Sequence, residues 1–235
     1  MPIAIDEHDF ADAGLLAQAL ARDVANNLRA GLAARMQAVL AVSGGNTPRR
    51  FLEQLSCQSL DWARVTVTLT DERWVPADDL RSNERLLRET LLRDAAAAAR
   101  FVSLYTPAAT PEGGYAAIAA NVAKLSLPFD AVVLGMGSDG HCASLFADGD
   151  HIDAALQPYA NARVMPIHTP SVAEPRMTLT LAALVATRAL YLHIEGVAKK
   201  DILARIVRGD PQLADAPIGS VLQHAPVTPA RFWCP

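Results

Sequence analysis

A histidine and a carboxylate stand two residues apart in a glycine-rich segment, GMGSDGHCASLF (135–146). Asp139 could orient the ring of His141 and hold its tautomer, and an imidazole with a pKa of about 6.5 suits a general base at neutral pH. Cys142 and Ser144 follow, but no G-x-S-x-G elbow presents a serine and nothing presents a thiolate. These residues therefore favour a base that activates water. The remaining histidines are interpreted as structural: His8, His151, His168, His193 and His224.

The same segment contains a match to the dinucleotide-binding pattern G-x-G-x-x-G, at 135–140. That pattern requires a helix that opens at the third glycine and an acidic residue about 20 positions further on. No acid lies between Asp153 and Glu174, and His141 stands where the helix would begin. The sequence therefore disfavours a nicotinamide cofactor. Gly137 is kept as a candidate substrate-binding residue.

A second glycine-rich turn, SGGNTP (43–48), follows the apolar run AVLAV (38–42) and precedes a helix pattern. Glycines let the backbone approach a ligand closely, and N–H groups at a helix N-terminus bind anions. A tight strand-to-helix turn in which Thr47 merely caps the helix is the alternative. The turn predicts a phosphate site formed by Ser43, Gly44, Gly45, Asn46 and Thr47.

Three charged residues in DERWVP (71–76) follow the β-branched run VTVTLTD (65–71). The guanidinium of Arg73 suits carboxylate or phosphate oxygens, and Asp71 is a candidate binding residue beside it. A solvated loop in which Asp71 or Glu72 pairs with Arg73 is the alternative.

Two lysines, Lys199 and Lys200, lie in the first turn of the helix predicted in EGVAKKD (195–201). The helix dipole disfavours a cation at this end, so a bound anion would explain one of them. We expect Lys199 to bind phosphate, and two solvated lysines are the alternative.

The whole chain has 235 residues, of which 51% are hydrophobic and 20% are charged, with a net charge of −4. This composition is typical of a globular protein, and the negative charge argues against nucleic-acid binding. No apolar run approaches the ~20 residues that cross a bilayer, the first residues lack a signal-peptide pattern, and the three cysteines show no disulfide or zinc spacing. We therefore expect a cytoplasmic protein without membrane contact. The sequence does not identify any protein partner.

Apolar runs alternate with helix patterns along the chain. Helices are predicted over 9–36, 49–55, 82–94 and 196–207, with Ser82 or Asn83 as an N-cap. Strands are predicted at 38–42, 65–71, 129–137, 162–169, 177–180 and 190–195.

This alternation predicts an α/β fold with a mostly parallel sheet flanked by helices, a modified Rossmann-like three-layer sandwich. We expect one α/β domain over 1–235, either alone or with a small lobe around 145–180. Ligands bind beyond the carboxyl ends of such strands. The loops at 43–48, 71–76 and 135–146 and the helix start at 196–200 are therefore expected to form one site.

In this order the motifs resemble the 6-phosphogluconolactonases, within the wider superfamily of glucosamine-6-phosphate deaminases and ribose-5-phosphate isomerases. The resemblance rests on AVSGGNTP, TDERWVP, SNERLLRETLL, FDAVVLGMGSDGHCASLF, PRMTLT and GVAKKDIL. Cys142 stands where the family usually has threonine. The resemblance implies hydrolysis of 6-phospho-D-glucono-1,5-lactone to 6-phosphogluconate in the oxidative pentose phosphate pathway, without metal or organic cofactor.

The resemblance also implies roles for the candidate residues. His141 matches the general base, Arg73 matches the substrate-binding arginine, and the 43–47 turn with Lys199 matches the phosphate site. We expect Asp139 to orient His141, and Arg73 to bind substrate or stabilise the oxyanion. Arg176, in PRMTLT, is a weaker candidate for the site.

Two other functions stay open. One is a deaminase or sugar-phosphate isomerase on the same scaffold, and the other is a non-catalytic protein that binds sugar phosphates. The deaminases of the superfamily carry a glutamate five residues after the histidine, where this chain has Phe146. Because an aromatic ring cannot transfer protons, Phe146 favours the lactonase.

Overall fold

A sheet of seven parallel strands forms the centre of the computed structural model, which describes residues 3–235. The strands are β1 (Asp6–Asp9), β2 (Ala38–Val42), β3 (Val65–Leu69), β4 (Asp71–Arg73), β5 (Arg100–Val102), β6 (Ala131–Leu134), β7 (Val164–Ile167), β8 (Arg176–Leu179), β9 (Leu190–Glu195) and β10 (Ala230–Cys234). The α-helices are α1 (Ala13–Arg35), α2 (Arg49–Ser56), α3 (Asn83–Thr90), α4 (Pro111–Val122), α5 (Ile152–Ala155), α6 (Leu181–Val185), α7 (Val197–Val207) and α8 (Pro217–His224). The central sheet has the order β1-β10-β9-β6-β2-β3-β5.

The central strands are apolar on both faces. Every residue of β2 and β6 is buried, as expected for parallel strands covered by helices on each side. The predicted α/β class with a mostly parallel sheet flanked by helices is therefore confirmed.

Capping residues define the ends of the helices. Asp12 caps α1 by accepting a hydrogen bond from the N–H of Leu15 at 2.8 Å, and Met36 ends the helix in a left-handed conformation. Ser82 caps α3 by accepting a hydrogen bond from the N–H of Arg85 at 3.2 Å, which selects one of the two predicted caps. The predicted positions of these helices are confirmed.

The strand order reverses between β2 and β6. These strands pair in parallel, with Val42 opposite Val133. After β2 the chain continues to β3 and β5 on one side, whereas β9 and β10 lie on the other side of β6. A crevice opens at the carboxyl ends of strands at such a point, so the segments after β2 and β6 face a common space.

A second sheet was not predicted. It has the order β4-β8-β7 with antiparallel pairing, so the predicted strands at 162–169 and 177–180 do not join the central sheet. Residues 71–73, predicted as part of a loop, form β4 because their backbone groups pair with β8. A tertiary partner more than 100 residues away thus overrides a local loop pattern.

Three strands and one long helix have no clear pattern in the sequence that would predict them. β1 has the polar sequence DEHD at the sheet edge, β5 has only three residues, and neither β10 nor α4 was predicted.

No helix lies between residues 135 and 151, which agrees with the rejection of the dinucleotide pattern. Within residues 3–235, no helix is both long and apolar enough to cross a membrane. The domain boundaries, including a small lobe around 145–180, stay a prediction.

Candidate active site

A cleft of about 360 Å³ lies at the carboxyl ends of β2, β3, β6 and β9. The four segments predicted to meet there all contribute to its wall. Every predicted site residue lines the cleft except Asp139, which contacts it through a neighbour. The spatial assembly of these residues is thus observed, while their roles remain predictions.

His141 and Asp139 form a hydrogen-bonded pair. The His141 Nδ1 lies 2.6 Å from Asp139 Oδ1, and the backbone N–H of His141 donates to the same oxygen at 3.2 Å. Burial acts to raise the pKa of Asp139, but the charge of His141 and these N–H groups outweigh burial and hold that pKa below its usual value. Because an ionised carboxylate only accepts hydrogen bonds, Nδ1 carries the proton in the neutral form of the ring, and Nε2 then keeps its lone pair. Nε2 can therefore accept a proton.

Two neighbours fix the position of the His141 ring. Phe146 packs against it with ring centroids 4.5 Å apart. Gly137 lies so close that a Cβ there would come within 2.2 Å of the imidazole Nδ1 and Cε1. Gly137 is therefore required for close approach of the ring, which is a more specific role than the ligand contact predicted for it.

The turn after β2 presents unpaired N–H groups. Within residues 3–235, the N–H groups of Gly44, Gly45, Asn46 and Thr47 donate to no protein acceptor. Gly45 has φ +92°, a conformation that favours glycine. Pro48, rather than Thr47, occupies the N-cap position of α2 and makes no side-chain cap. These N–H groups are thus available to an anion.

Ser43 differs from the other residues of this turn. Its N–H donates to the Val133 carbonyl at 3.0 Å, and its hydroxyl contacts Thr70 Oγ1 at 2.8 Å and accepts from the Gly135 N–H at 3.3 Å. Its polar groups thus join the segments after β2, β3 and β6. The structure gives Ser43 a positioning role, where the sequence predicts phosphate binding.

The two adjacent lysines face different surroundings. Lys200 donates to Asp9 Oδ2 at 2.6 Å and lies 3.8 Å from the centroid of the Trp233 ring. Lys199 lines the cleft, and the part of the chain that the structure describes gives it no ion-pair partner. The distinction predicted between the two lysines therefore matches their positions.

Asp71 and Ser144 are buried together beside the cleft. The Ser144 hydroxyl donates to Asp71 Oδ2 at 2.6 Å, and both residues are buried. Burial also raises the pKa of the neighbouring Cys142 thiol well above its usual value, which excludes a thiolate nucleophile at neutral pH. The alternative that Asp71 pairs with Arg73 is not seen, because Asp71 accepts from hydroxyl groups instead.

Glu72, which the sequence treats only as a possible partner of Arg73, is fully buried. Its carboxylate accepts hydrogen bonds from the backbone N–H groups of Arg73, Asn83 and Glu84 at 2.7–2.8 Å, and from the Ser82 hydroxyl at 3.1 Å. Burial raises the pKa of Glu72 to about 7, although the three N–H groups act to lower it. Glu72 thus holds β4 to the start of α3.

Two further residues of the cleft wall were missed. The Asn83 amide donates to the Asp71 carbonyl at 2.9 Å and lies so close to Gly44 that a Cβ there would be 2.0 Å from Asn83 Oδ1. His193 is buried in the wall, with Nε2 3.2 Å from Glu195 Oε1. An alternating pattern in DER would have placed Glu72 on the inner face, whereas no local signal distinguishes Asn83 or His193.

Within residues 3–235, no three or more His, Cys, Asp or Glu side chains are grouped so as to hold a metal ion.

Comparison with known proteins gives consistent matches over the whole chain. The family model described as glucosamine-6-phosphate isomerases/6-phosphogluconolactonase matches residues 11–229. The 6-phosphogluconolactonase of Rhizobium meliloti is 45% identical, covering 97% of this chain and 98% of the relative, and that of Pseudomonas putida is 43% identical, covering 100% and 95%. The crystal structure of a 6-phosphogluconolactonase from Shewanella baltica has a TM-score of 0.93 and 36% identity, with 100% of both chains covered.

We expect a Gly137→Ala substitution to displace the His141 ring and break its bond to Asp139, because the new methyl group would overlap the imidazole. The tautomer of His141 can be measured at pH 8.5 from long-range ¹H–¹⁵N correlation spectra. The wild type should carry the proton on Nδ1, and the variant should shift towards Nε2.

The control for this experiment is Gly113→Ala, in α4, where a Cβ meets no atom closer than 3.6 Å. It should leave the His141 spectrum unchanged. An Nδ1 tautomer retained in Gly137→Ala would contradict the close-packing argument.

Glu72 should make stability depend on pH. The pKa of the carboxyl is about 7 in the folded state and has its ordinary value of 4.5 in the unfolded state, so the folded state binds more protons between these pH values. This contribution is complete below pH 4.5 and is lost as the pH rises through 7. The stability advantage of the wild type over Glu72→Gln, measured by urea unfolding, should narrow by up to about 1 kcal/mol per pH unit in this window. An advantage that stays constant from pH 5 to 7.5 would refute this.

Proposed function

This chain belongs to the family of glucosamine-6-phosphate isomerases and 6-phosphogluconolactonases, and we propose that it hydrolyses 6-phospho-D-glucono-1,5-lactone to 6-phosphogluconate. The reaction is a step of the oxidative pentose phosphate pathway. One observation carries the proposal: a single cleft holds both an imidazole–carboxylate pair and a separate set of unpaired N–H groups with a lysine. The cytoplasmic location expected from the sequence stays a prediction.

The phosphate of the substrate binds at the turn after β2. The N–H groups of Gly44–Thr47 donate to its oxygens, and Lys199 supplies the positive charge. Charge-assisted hydrogen bonds of this type contribute about 1.5–3 kcal/mol each, so this end anchors the substrate. Anchoring orients the lactone carbonyl relative to His141 without any bond change at the phosphate.

His141 acts as the base. Its Nε2 takes a proton from water while the water oxygen forms a bond to the lactone carbonyl carbon, and the carbonyl electron pair moves onto oxygen. The tetrahedral oxyanion then collapses, the bond from that carbon to the ring oxygen breaks, and the imidazolium returns its proton to the ring oxygen. The products are a C5 hydroxyl and a carboxylic acid, which ionises. Asp139 stabilises the imidazolium through Nδ1.

Arg73 is placed to bind the substrate or to stabilise the oxyanion. Its side chain lines the cleft, and Nη1 donates to the Arg81 carbonyl at 2.6 Å, which orients the guanidinium. A fixed cation near a developing negative charge lowers the barrier because it needs no reorganisation during the reaction.

The deaminase or isomerase alternative lacks the glutamate that deaminases carry five residues after the histidine. Phe146, at the position of the deaminase glutamate, is buried against His141. The next carboxylate, Asp148, accepts hydrogen bonds from Thr169 and Ser171. A non-catalytic sugar-phosphate-binding protein would have no use for the oriented tautomer of His141.

The His141→Ala variant should open the lactone at least about 10²-fold more slowly than the wild type, after subtraction of the spontaneous rate, because the base is lost. Its affinity for 6-phosphogluconate should stay within a few-fold. His168→Ala, which alters an exposed histidine bonded to Glu112 outside the cleft, is the matched control and should keep full activity. An unchanged rate in His141→Ala would remove the base assignment. Release of ammonia from glucosamine 6-phosphate by the wild type would favour the deaminase.

Lys199→Ala should raise KM for the phosphorylated lactone by about tenfold or more, because one charged hydrogen bond to phosphate is lost. The KM for unphosphorylated glucono-1,5-lactone should barely change. Lys200→Ala, one residue away and paired with Asp9, should leave both values unchanged. Equal effects of Lys199→Ala on the two lactones would show that Lys199 does not bind phosphate.

A further inference from the structure

A pair of arginines faces the cleft from the small sheet. We propose that Arg73 and Arg176 together form a second anion site that binds a carboxylate, so that the cleft holds an open-chain aldonate phosphate by both of its charged ends. The identity of this ligand rests on the proposed function, because hydrolysis of the lactone creates the carboxylate. The site itself rests on the geometry of the two side chains.

The strand register places the two guanidinium groups on one face. Arg73 of β4 lies directly opposite Arg176 of β8 in the antiparallel pair, and both residues line the cleft. Directly opposite side chains have Cβ atoms about 5 Å apart, and like charges in this arrangement destabilise a sheet. An anion between the two arginines removes that repulsion.

Arg176 has unused hydrogen-bonding capacity although it is buried. Only 6% of the surface of Arg176 is exposed to solvent, and among residues 3–235 its Nε has no hydrogen-bond partner. The nearest carboxylate oxygen, on Glu174, is 3.8 Å from Nη2, which is beyond hydrogen-bond distance. Glu174 therefore forms only a long ion pair with Arg176, and its other oxygen, Oε1, accepts a hydrogen bond from Arg81. A buried donor without a partner indicates a ligand that supplies the acceptor.

The neighbouring carboxylate does not fill this role. Asp71 lies on the same face of β4, but it accepts from the Ser144 and Thr70 hydroxyls. In the described part of the chain, no ion pair within 4.0 Å joins Asp71 to Arg73 or Arg176. Asp71 balances charge in this region without bonding to either guanidinium, and in the described residues the Nε–H of Arg176 stays unpaired.

The chemistry of the pair favours a carboxylate. A planar guanidinium presents two parallel N–H donors that match the two oxygens of a carboxylate, and two such groups can hold it from both sides. The phosphate has its own site at Gly44–Thr47 and Lys199. The lactone has no charge at its carbonyl end, so this second site favours the ring-opened acid over the substrate.

Calorimetric titration of two stable ligands tests this site. 6-Phosphogluconate has a carboxylate at C1, whereas glucitol 6-phosphate has the same chain and phosphate with a hydroxymethyl group there. The wild type should bind 6-phosphogluconate at least about tenfold more tightly, as expected for a charge-assisted hydrogen bond. Arg176→Gln should reduce the preference to about twofold or less, and should leave the Kd of glucitol 6-phosphate unchanged.

Two further variants complete the experiment. Arg93→Gln removes a half-exposed arginine that pairs with Asp94 outside the cleft, and should keep the wild-type preference. Arg176→Lys keeps the charge without the two parallel donors, so it should give an intermediate preference and replaces Arg176→Gln if that variant fails to fold. Equal affinity of the wild type for both ligands, or equal weakening of both by Arg176→Gln, would overturn the proposal.

Calorimetry separates this inference from the proposed function because it needs no turnover. A preference for 6-phosphogluconate that depends on Arg176, in a protein that does not open the lactone, would support the anion site and reject the function. Lactone opening without such a preference would reject the anion site alone.

Discussion

The parallel pairing of β2 with β6 is the constraint on which the cleft depends. Val42 lies opposite Val133, and one residue later the Ser43 hydroxyl contacts Thr70 and the Gly135 N–H. Three chain segments that are remote in sequence are thereby held at one edge of the sheet. Because the strand order reverses here, the segments diverge and leave space between them. The turn at 43–48 and the segment at 135–146 that contains His141 can contact one ligand only because of this pairing.

The cleft presents groups suited to anions in a protein whose net charge is negative. The net charge of −4 sets the electrostatic potential far from the protein, whereas ligand binding depends on charged and polar groups within a few ångströms of the ligand. In the described residues, unpaired N–H groups follow β2, and Lys199 lines the same cleft without a carboxylate within 4.0 Å. The carboxylates nearest the cleft are engaged elsewhere: Asp71 accepts from hydroxyls, and Glu72 accepts from backbone N–H groups. Local pairing of the acids therefore leaves the cations free.

Hydrolysis in this cleft requires little from the protein beyond orientation. A lactone carbonyl is reactive enough for water, a base and a fixed positive charge to suffice. His141, the proposed base, is oriented by Asp139 from one side and by Phe146 from another, and the absence of a side chain on Gly137 lets the ring fit between them. The same Phe146 occupies the position where a deaminase would need a second proton carrier. Orientation of one imidazole and exclusion of a competing acid thus come from the same short segment.

The sequence by itself determined those features that depend on near neighbours in the chain. Alternation of apolar runs with helix patterns predicted the parallel sheet, and the glycines after an apolar run predicted the turn at 43–48. The two-residue separation of Asp139 and His141 predicted that these two side chains pair. The sequence did not predict that Arg176 lies opposite Arg73, that Glu72 is buried, or that a second sheet forms. Tertiary structure decided these because strand register and desolvation depend on contacts between residues as far as 100 positions apart. No local pattern of residue types records which strands pair or in which register.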